Sequence, residues 1–254
     1  MRQFRHLTSQ HRTASTNRLL GGILAFNAGA VNAGGFLVVA MYTSHMTGFV
    51  SLLADNLVLG NTTLVLGAIG ALLAFTAGAA VTAVQVNWAR QHGLRSEYAL
   101  PLLLEATLLL VFGLMGATLN HQTPFAVPLT VLLLSFTMGL QNALVSKISA
   151  SQIRTTHMTG IVTDIGIELG KMLYWNRTGS PLESRVRANR IKLRLLATLL
   201  GAFIGGGVVG AAGFKYVGFV WVIPLALLLL GLCMPPLYAD LLRLLKRRTF
   251  HQNT

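Results

Sequence analysis

The chain predicts an all-α membrane protein with six transmembrane helices and two short helices that either re-enter the membrane or lie at its surface, arranged as an inverted repeat of three spans and three. Three observations carry this reading. Apolar runs such as 102–119 and 216–237 hold about twenty residues with one charge or none, the length a helix needs to cross ~30 Å of hydrocarbon. Charged residues make up only 11% of the 254 residues and mean hydropathy is +0.62, whereas a soluble domain carries about 25% charge. The second half of the chain also repeats signature segments of the first. The apolar runs are continuous and lack the alternation, about ten residues at a time, of a membrane barrel, so helices satisfy the backbone in lipid.

A basic segment, 1–18, comes first and carries Arg2, Arg5, Arg12 and Arg18. It precedes an apolar span at 19–40 and resembles the start of a secretory signal. That span has a counterpart later in the chain, so it is read as a permanent helix. Spans at 63–88 and 98–119 complete a first membrane repeat, 19–119. An external linker, 120–124, leads to a second repeat, 125–238, with spans at 125–146, 193–213 and 217–238. A basic tail, 239–254, follows. Each repeat holds one weaker segment, 46–60 and 158–173. These contain Asp55 in the first and Asp164 with Glu168 in the second, and both are too short and too polar to cross comfortably.

Charge orients the spans, because cytoplasmic loops of membrane proteins are rich in Lys and Arg. With six crossings and the N-terminus inside, every basic residue except Lys215 falls on the cytoplasmic side. If the weak segments crossed fully, Arg90, Arg95, Lys147 and Arg154 would join Lys215 outside. The six-span reading is preferred. It places the chain in a bacterial cytoplasmic (inner) membrane with both termini in the cytoplasm. The net charge of +13 is explained by topology, and no nucleic-acid partner is expected. The partner implied directly is the lipid bilayer, and a homo-oligomer is compatible with the sequence. The single cysteine, Cys233, sits in the last span and can form no intramolecular disulfide.

The repeat is the most informative feature. Ser44-His45-Met46-Thr47-Gly48 stands before the first weak segment and Thr156-His157-Met158-Thr159-Gly160 before the second. Val31-Asn32-Ala33 corresponds to Gln141-Asn142-Ala143. Ala74-Phe75 with Ala77-Gly78 corresponds to Ala202-Phe203 with Gly205-Gly206, and Pro101 to Pro224. Three crossings separate equivalent points, so the copies face opposite sides, the plan of many transporters. The S-H-M-T-G segment behind an Asn-bearing span, with R-T-T-H-M-T-G-I-V-T-D-I-G-I-E-L-G at 154–170, resembles the YoaK-type family of bacterial integral membrane proteins, a domain of unknown function. The likeness covers roughly 19–238 and implies an integral membrane protein without an assigned substrate or reaction. Many relatives carry Asn after the first T-G where this chain has Phe49.

Thr47 and Thr159 precede a glycine and an apolar run, as N-cap residues do. Helices starting inside the bilayer would aim free N–H groups and a positive dipole end at a central site. The plainer reading is that both threonines cap short helices near the surface. His45 and His157 suit proton relay or solute hydrogen bonding, against a simple role in fixing the turns. No metal is expected, since two histidines alone do not make a zinc set. Asn32 and Asn142 would line the site or join helices by hydrogen bonds. Asp164 and Glu168 share a helix face with Lys171 beyond them, which allows proton or ion coupling or a wetted ion pair. Asp55 is the acid of the first half. Glu105 would either bind a coupling ion or snorkel toward water and Arg95.

The chain lacks a phosphate-binding G-x-x-x-x-G-K-[ST] loop, a dinucleotide fingerprint and an H-E-x-x-H pair, so no enzymatic activity and no cofactor are expected. The expected function is secondary transport, or a channel, for a small polar solute with proton coupling. The alternative is a membrane-embedded scaffold whose polar pairs serve folding and assembly.

Overall fold

A computed structural model of the chain describes residues 14–94, 96–118, 126–148, 158–176 and 185–252. Among them stand eight α-helices and no strand: α1 (Ala14–Val39), α2 (Met46–Leu59), α3 (Thr62–Gln91), α4 (Ala99–Thr118), α5 (Ala126–Ile148), α6 (Met158–Leu173), α7 (Arg190–Tyr216) and α8 (Val222–Gln252), with a 3-10 turn at Gly218–Trp221 before α8. Six of them are long and apolar enough to cross a membrane. The helices α2 and α6 have only 14 and 16 residues and are not among the six.

Local chemistry sets several boundaries. The side chains of Asn61 and Asn189 accept hydrogen bonds from the Leu64 and Lys192 N–H groups, capping α3 and α7. Gly60 and Gly93 adopt positive φ, which lets the chain turn after α2 and α3. At its far end α8 extends through most of the predicted basic tail, because Leu241, Leu242 and Leu245 continue a helical run between the arginines and lysines.

The bundle is built on two tight crossings. Helix α1 packs against α7 and α3 against α5, with α4 against α8, α2 on α3 and α6 on α7. Where α1 meets α7, a Cβ on Gly206 would strike the Phe26 carbonyl, one on Gly210 would strike Ala30, and one on Gly29 would strike the Phe203 carbonyl. Where α3 meets α5, Gly78 lies against the Phe136 carbonyl and Gly139 against that of Phe75. Thr82 Oγ1 donates to the Leu140 carbonyl at 2.9 Å in the same crossing. Small residues permit such approach, and in lipid it is dispersion between closely packed backbones that rewards it, since tails and side chains are equally apolar.

Leu66, Leu73, Leu114, Val208 and Leu227 point outward and lie exposed. That apolar belt is the surface acyl chains contact. The ends of the bundle are polar or aromatic. At one end, Asp240 of α8 accepts from the Ser96 N–H at 2.8 Å and the Ser96 hydroxyl at 2.6 Å, while Arg90 pairs with Glu97 and donates to the Tyr98 hydroxyl at 2.7 Å. At the other, Phe112, Phe214 and Phe219 stack edge-on where α4, α7 and the 3-10 turn meet.

Candidate functional site

The first H-M-T-G segment forms the break between α1 and α2. The chain leaves α1 through Ala40 at φ 53°, a left-handed conformation that a residue with a Cβ adopts only under local constraint. Asn32 supplies part of that constraint: its Oδ1 accepts from the Ser44 hydroxyl at 3.0 Å and the Ser44 N–H at 3.4 Å. Asn32 is buried and serves as the clasp of the turn. His45 occupies the N-cap position of α2, is exposed, and makes no capping bond with its side chain. The expected cap at Thr47 is therefore corrected, since Thr47 lies inside the first turn of α2 and is exposed. Phe36 and Tyr42 stack at 4.5 Å beside the turn. They border a cleft of about 360 Å³ that is also lined by Met41, His45, Phe49 and Leu52. Asp55 stands exposed farther along α2.

The second motif is described from Met158 onward, and His157 lies outside the described residues. Thr159 is the second residue of α6, exposed, with its carbonyl accepting from the Thr163 hydroxyl at 2.8 Å. The cap expected there is likewise corrected. Asp164 pairs with Lys192 Nζ at 3.1 Å, with both side chains some two-fifths exposed at 42% and 43%. Glu168 is buried and held on both oxygens: Lys171 Nζ donates to Oε1 at 2.9 Å and the Asn189 N–H to Oε2 at 2.7 Å. Those two donors, the Asn189 N–H foremost, hold the Glu168 pKa below the usual carboxylate value. Both acids thus tie α6 to the start of α7.

A third polar group lies within the bundle, where the sequence offered less guidance. Asn27 and Glu105 are fully buried, and Asn27 Nδ2 donates to Glu105 Oε1 at 3.3 Å. Glu105 thus faces α1 and is buried away from water instead of snorkelling to it, and Arg95 lies outside the described residues. Gln141, also fully buried, donates from Nε2 to the Leu24 carbonyl at 3.0 Å. Asn27 Oδ1, Glu105 Oε2, Gln141 Oε1 and Asn142 Oδ1 are buried acceptors without a hydrogen-bond partner. Asn142 follows Gln141 on α5 and is half-buried. Only the cost of an acid within a span marked Glu105 in the sequence; Asn27, its partner far along the chain, carried no motif.

The family model "Protein of unknown function (DUF1275)" matches residues 20–234, most of the chain and all the helices that bear these groups. The chain belongs to that family. A curated relative, UPF0700 transmembrane protein YoaK of Bacillus subtilis (strain 168), is 27% identical to the chain over 217 residues, 85% of this chain and 92% of its own length. The name of that relative agrees with the membrane-spanning reading of this DUF1275 chain. No solved structure matches it.

Proposed function

We propose that this chain is a secondary transporter or channel for a small polar solute, not an enzyme. It is built from two inverted halves in a bacterial cytoplasmic membrane, with both termini inside. The observation that carries the proposal is the reciprocity of the crossings. The alignment that pairs Asn32 with Asn142 carries Phe26, Gly29 and Ala30 to Phe136, Gly139 and Leu140. The alignment that pairs Ala74-Phe75 with Ala202-Phe203 carries Gly78 and Thr82 to Gly206 and Gly210. Each contact between α1 and α7 then finds its counterpart between α5 and α3. Halves that clasp each other in this exchanged manner can rock as bodies about a shared axis, as inverted-repeat carriers do. The turn at Ala40–His45 supplies His45 as donor or acceptor for the solute, beside a cleft whose other lining residues are mainly apolar.

The close glycine crossings favour a second reading, a rigid membrane scaffold. Reconstitution separates the two. Purified protein in liposomes, offered a panel of labelled small polar solutes with a pH-sensitive dye inside, is expected to give saturable uptake or proton flux that His45→Ala reduces. Folded protein without flux for any solute in the panel would favour the scaffold. Orientation is tested with Gln91→Cys in a Cys233→Ser background. The thiol is expected to react with an impermeant reagent only from the cytoplasmic side, and external labelling would overturn the six-span topology.

A further inference from the structure

We propose that Asn27 and Glu105 form a proton-binding site inside the bundle, with one proton bridging Glu105 Oε2 and Asn27 Oδ1. The argument stands on geometry and burial. Both residues are fully buried, and one hydrogen bond already joins them, from Asn27 Nδ2 to Glu105 Oε1 at 3.3 Å. The other oxygen of each group is buried and has no partner. Two acceptors left facing no donor cost free energy on both sides of the pair. A single proton on Glu105 Oε2 satisfies both at once and closes a ring of two hydrogen bonds between a carboxylic acid and a primary amide.

Among the described residues no counter-charge replaces the proton. Of the ionisable side chains on α1 and on the helices packed against α4, Arg18 lies exposed in the early turns of α1 and Lys147 at the end of α5. Arg90 of α3 is engaged by Glu97 and Tyr98. On α8, Asp240 is engaged by Ser96 and Arg243, and the buried Cys233 thiol donates to the Leu230 carbonyl. A metal cation fits poorly, because it would sit beside the Asn27 amide N–H groups and needs several oxygens around it. The proton is therefore the ligand this pair is built to take. On release it passes to water, leaving a carboxylate that keeps the Asn27 donor and an Asn27 oxygen that loses its own. A charged carboxylate inside a membrane bundle is costly, so release requires water to reach α4. The site is thereby coupled to any opening of the bundle.

The test does not depend on transport. Infrared spectra of the purified full chain at neutral pH are expected to show the carbonyl stretch of a protonated carboxylic acid. It should shift when glutamate is labelled with 13C in its side-chain carboxyl, and vanish in Glu105→Gln. Glu105→Gln keeps an N–H for Asn27 Oδ1, so its melting temperature should stay close to wild type. Asn27→Leu should move the band to the frequency of a free acid. Should Glu105→Gln fail to fold, the isotope shift in the wild-type chain together with the movement of the band in Asn27→Leu decides, since the label enters all four glutamates and only Glu105 meets Asn27. A wild-type spectrum with no protonated carboxyl at neutral pH, or a band unmoved by labelled glutamate, overturns the proposal. So would a melting temperature raised by sodium over choline chloride in wild type but not in Glu105→Gln, which would make the ligand a metal cation.

Discussion

At the scale of single residues, the asparagines divide the labour of the chain. Asn32 holds a turn, Asn61 and Asn189 cap helices, and Asn27 meets an acid. Replacing Asn32 by Ala strips two donors of Ser44 of their acceptor, and we expect a loss of about 1–3 kcal/mol. Thermal unfolding in detergent measures it, together with faster protease cleavage near Ala40. His45→Ala removes an exposed side chain with no capping bond and should leave stability within about 0.5 kcal/mol. The sequence made the motif H-M-T-G conspicuous, and the threonine looked like its cap. The turn is held instead by Asn32 and Ser44, residues twelve positions apart, a contact that no local cap rule encodes. The Asn27–Glu105 pair was further out of reach, since its members lie 78 positions apart on different helices and only the packing of α4 on its neighbours brings them together.

Elements show the opposite balance. All six spans were legible, because an apolar run of that length has one stable arrangement in lipid, and the structure moves most of their ends by a few residues. The weak segments were legible as short helices. For Asp164 and Glu168 the sequence left coupling groups and a wetted ion pair both open, and the structure sets Lys192 beside the first and Lys171 with the Asn189 N–H beside the second. The Glu168 carboxylate docks α6 against the start of α7, and its lowered pKa gives that dock a pH dependence. A carboxyl more acidic when folded stabilises the folded form fully above its ordinary range, and the gain fades as pH falls through the lowered value. The protection factors of the α6 amides, which remove the intrinsic pH dependence of exchange, should therefore fall on acidification in the wild type and be low at all pH values in Glu168→Gln. An exchange profile with no pH response beyond the intrinsic rate would count against this dock.

For the whole molecule, packing rests on carbonyl-to-glycine approaches that tolerate no added atoms. Gly206→Ala and Gly78→Ala each drive a methyl into a backbone oxygen, and overpacking of this kind costs about 1–3 kcal/mol. Gly201→Ala, on the same helix as Gly206 but with open space around it, should be nearly neutral. Matching losses in the first two variants, read by unfolding in detergent, are the expected result; a harmless Gly206→Ala would mean that α1 and α7 are not in backbone contact. Shared motifs in the sequence suggested a repeat, yet the contacts of α1 with α7 and of α3 with α5 emerged only in three dimensions, through glycines such as Gly29 and Gly139 that no motif had marked.

That exchanged grip also orders the birth of the protein. Helix α1 leaves the ribosome well before α7, the partner whose glycines cover its Phe26 and Ala30 carbonyls. During synthesis α3 and α5 can seat while α1 still waits beside them, its docking face turned to lipid or to the insertion machinery. The Asp240 clasp on Ser96 closes later still, once α8 has emerged. A nascent chain halted before residue 190 should hence carry a completed α3–α5 joint and an orphan first helix, and should be cleared by membrane quality control sooner than one halted after α7.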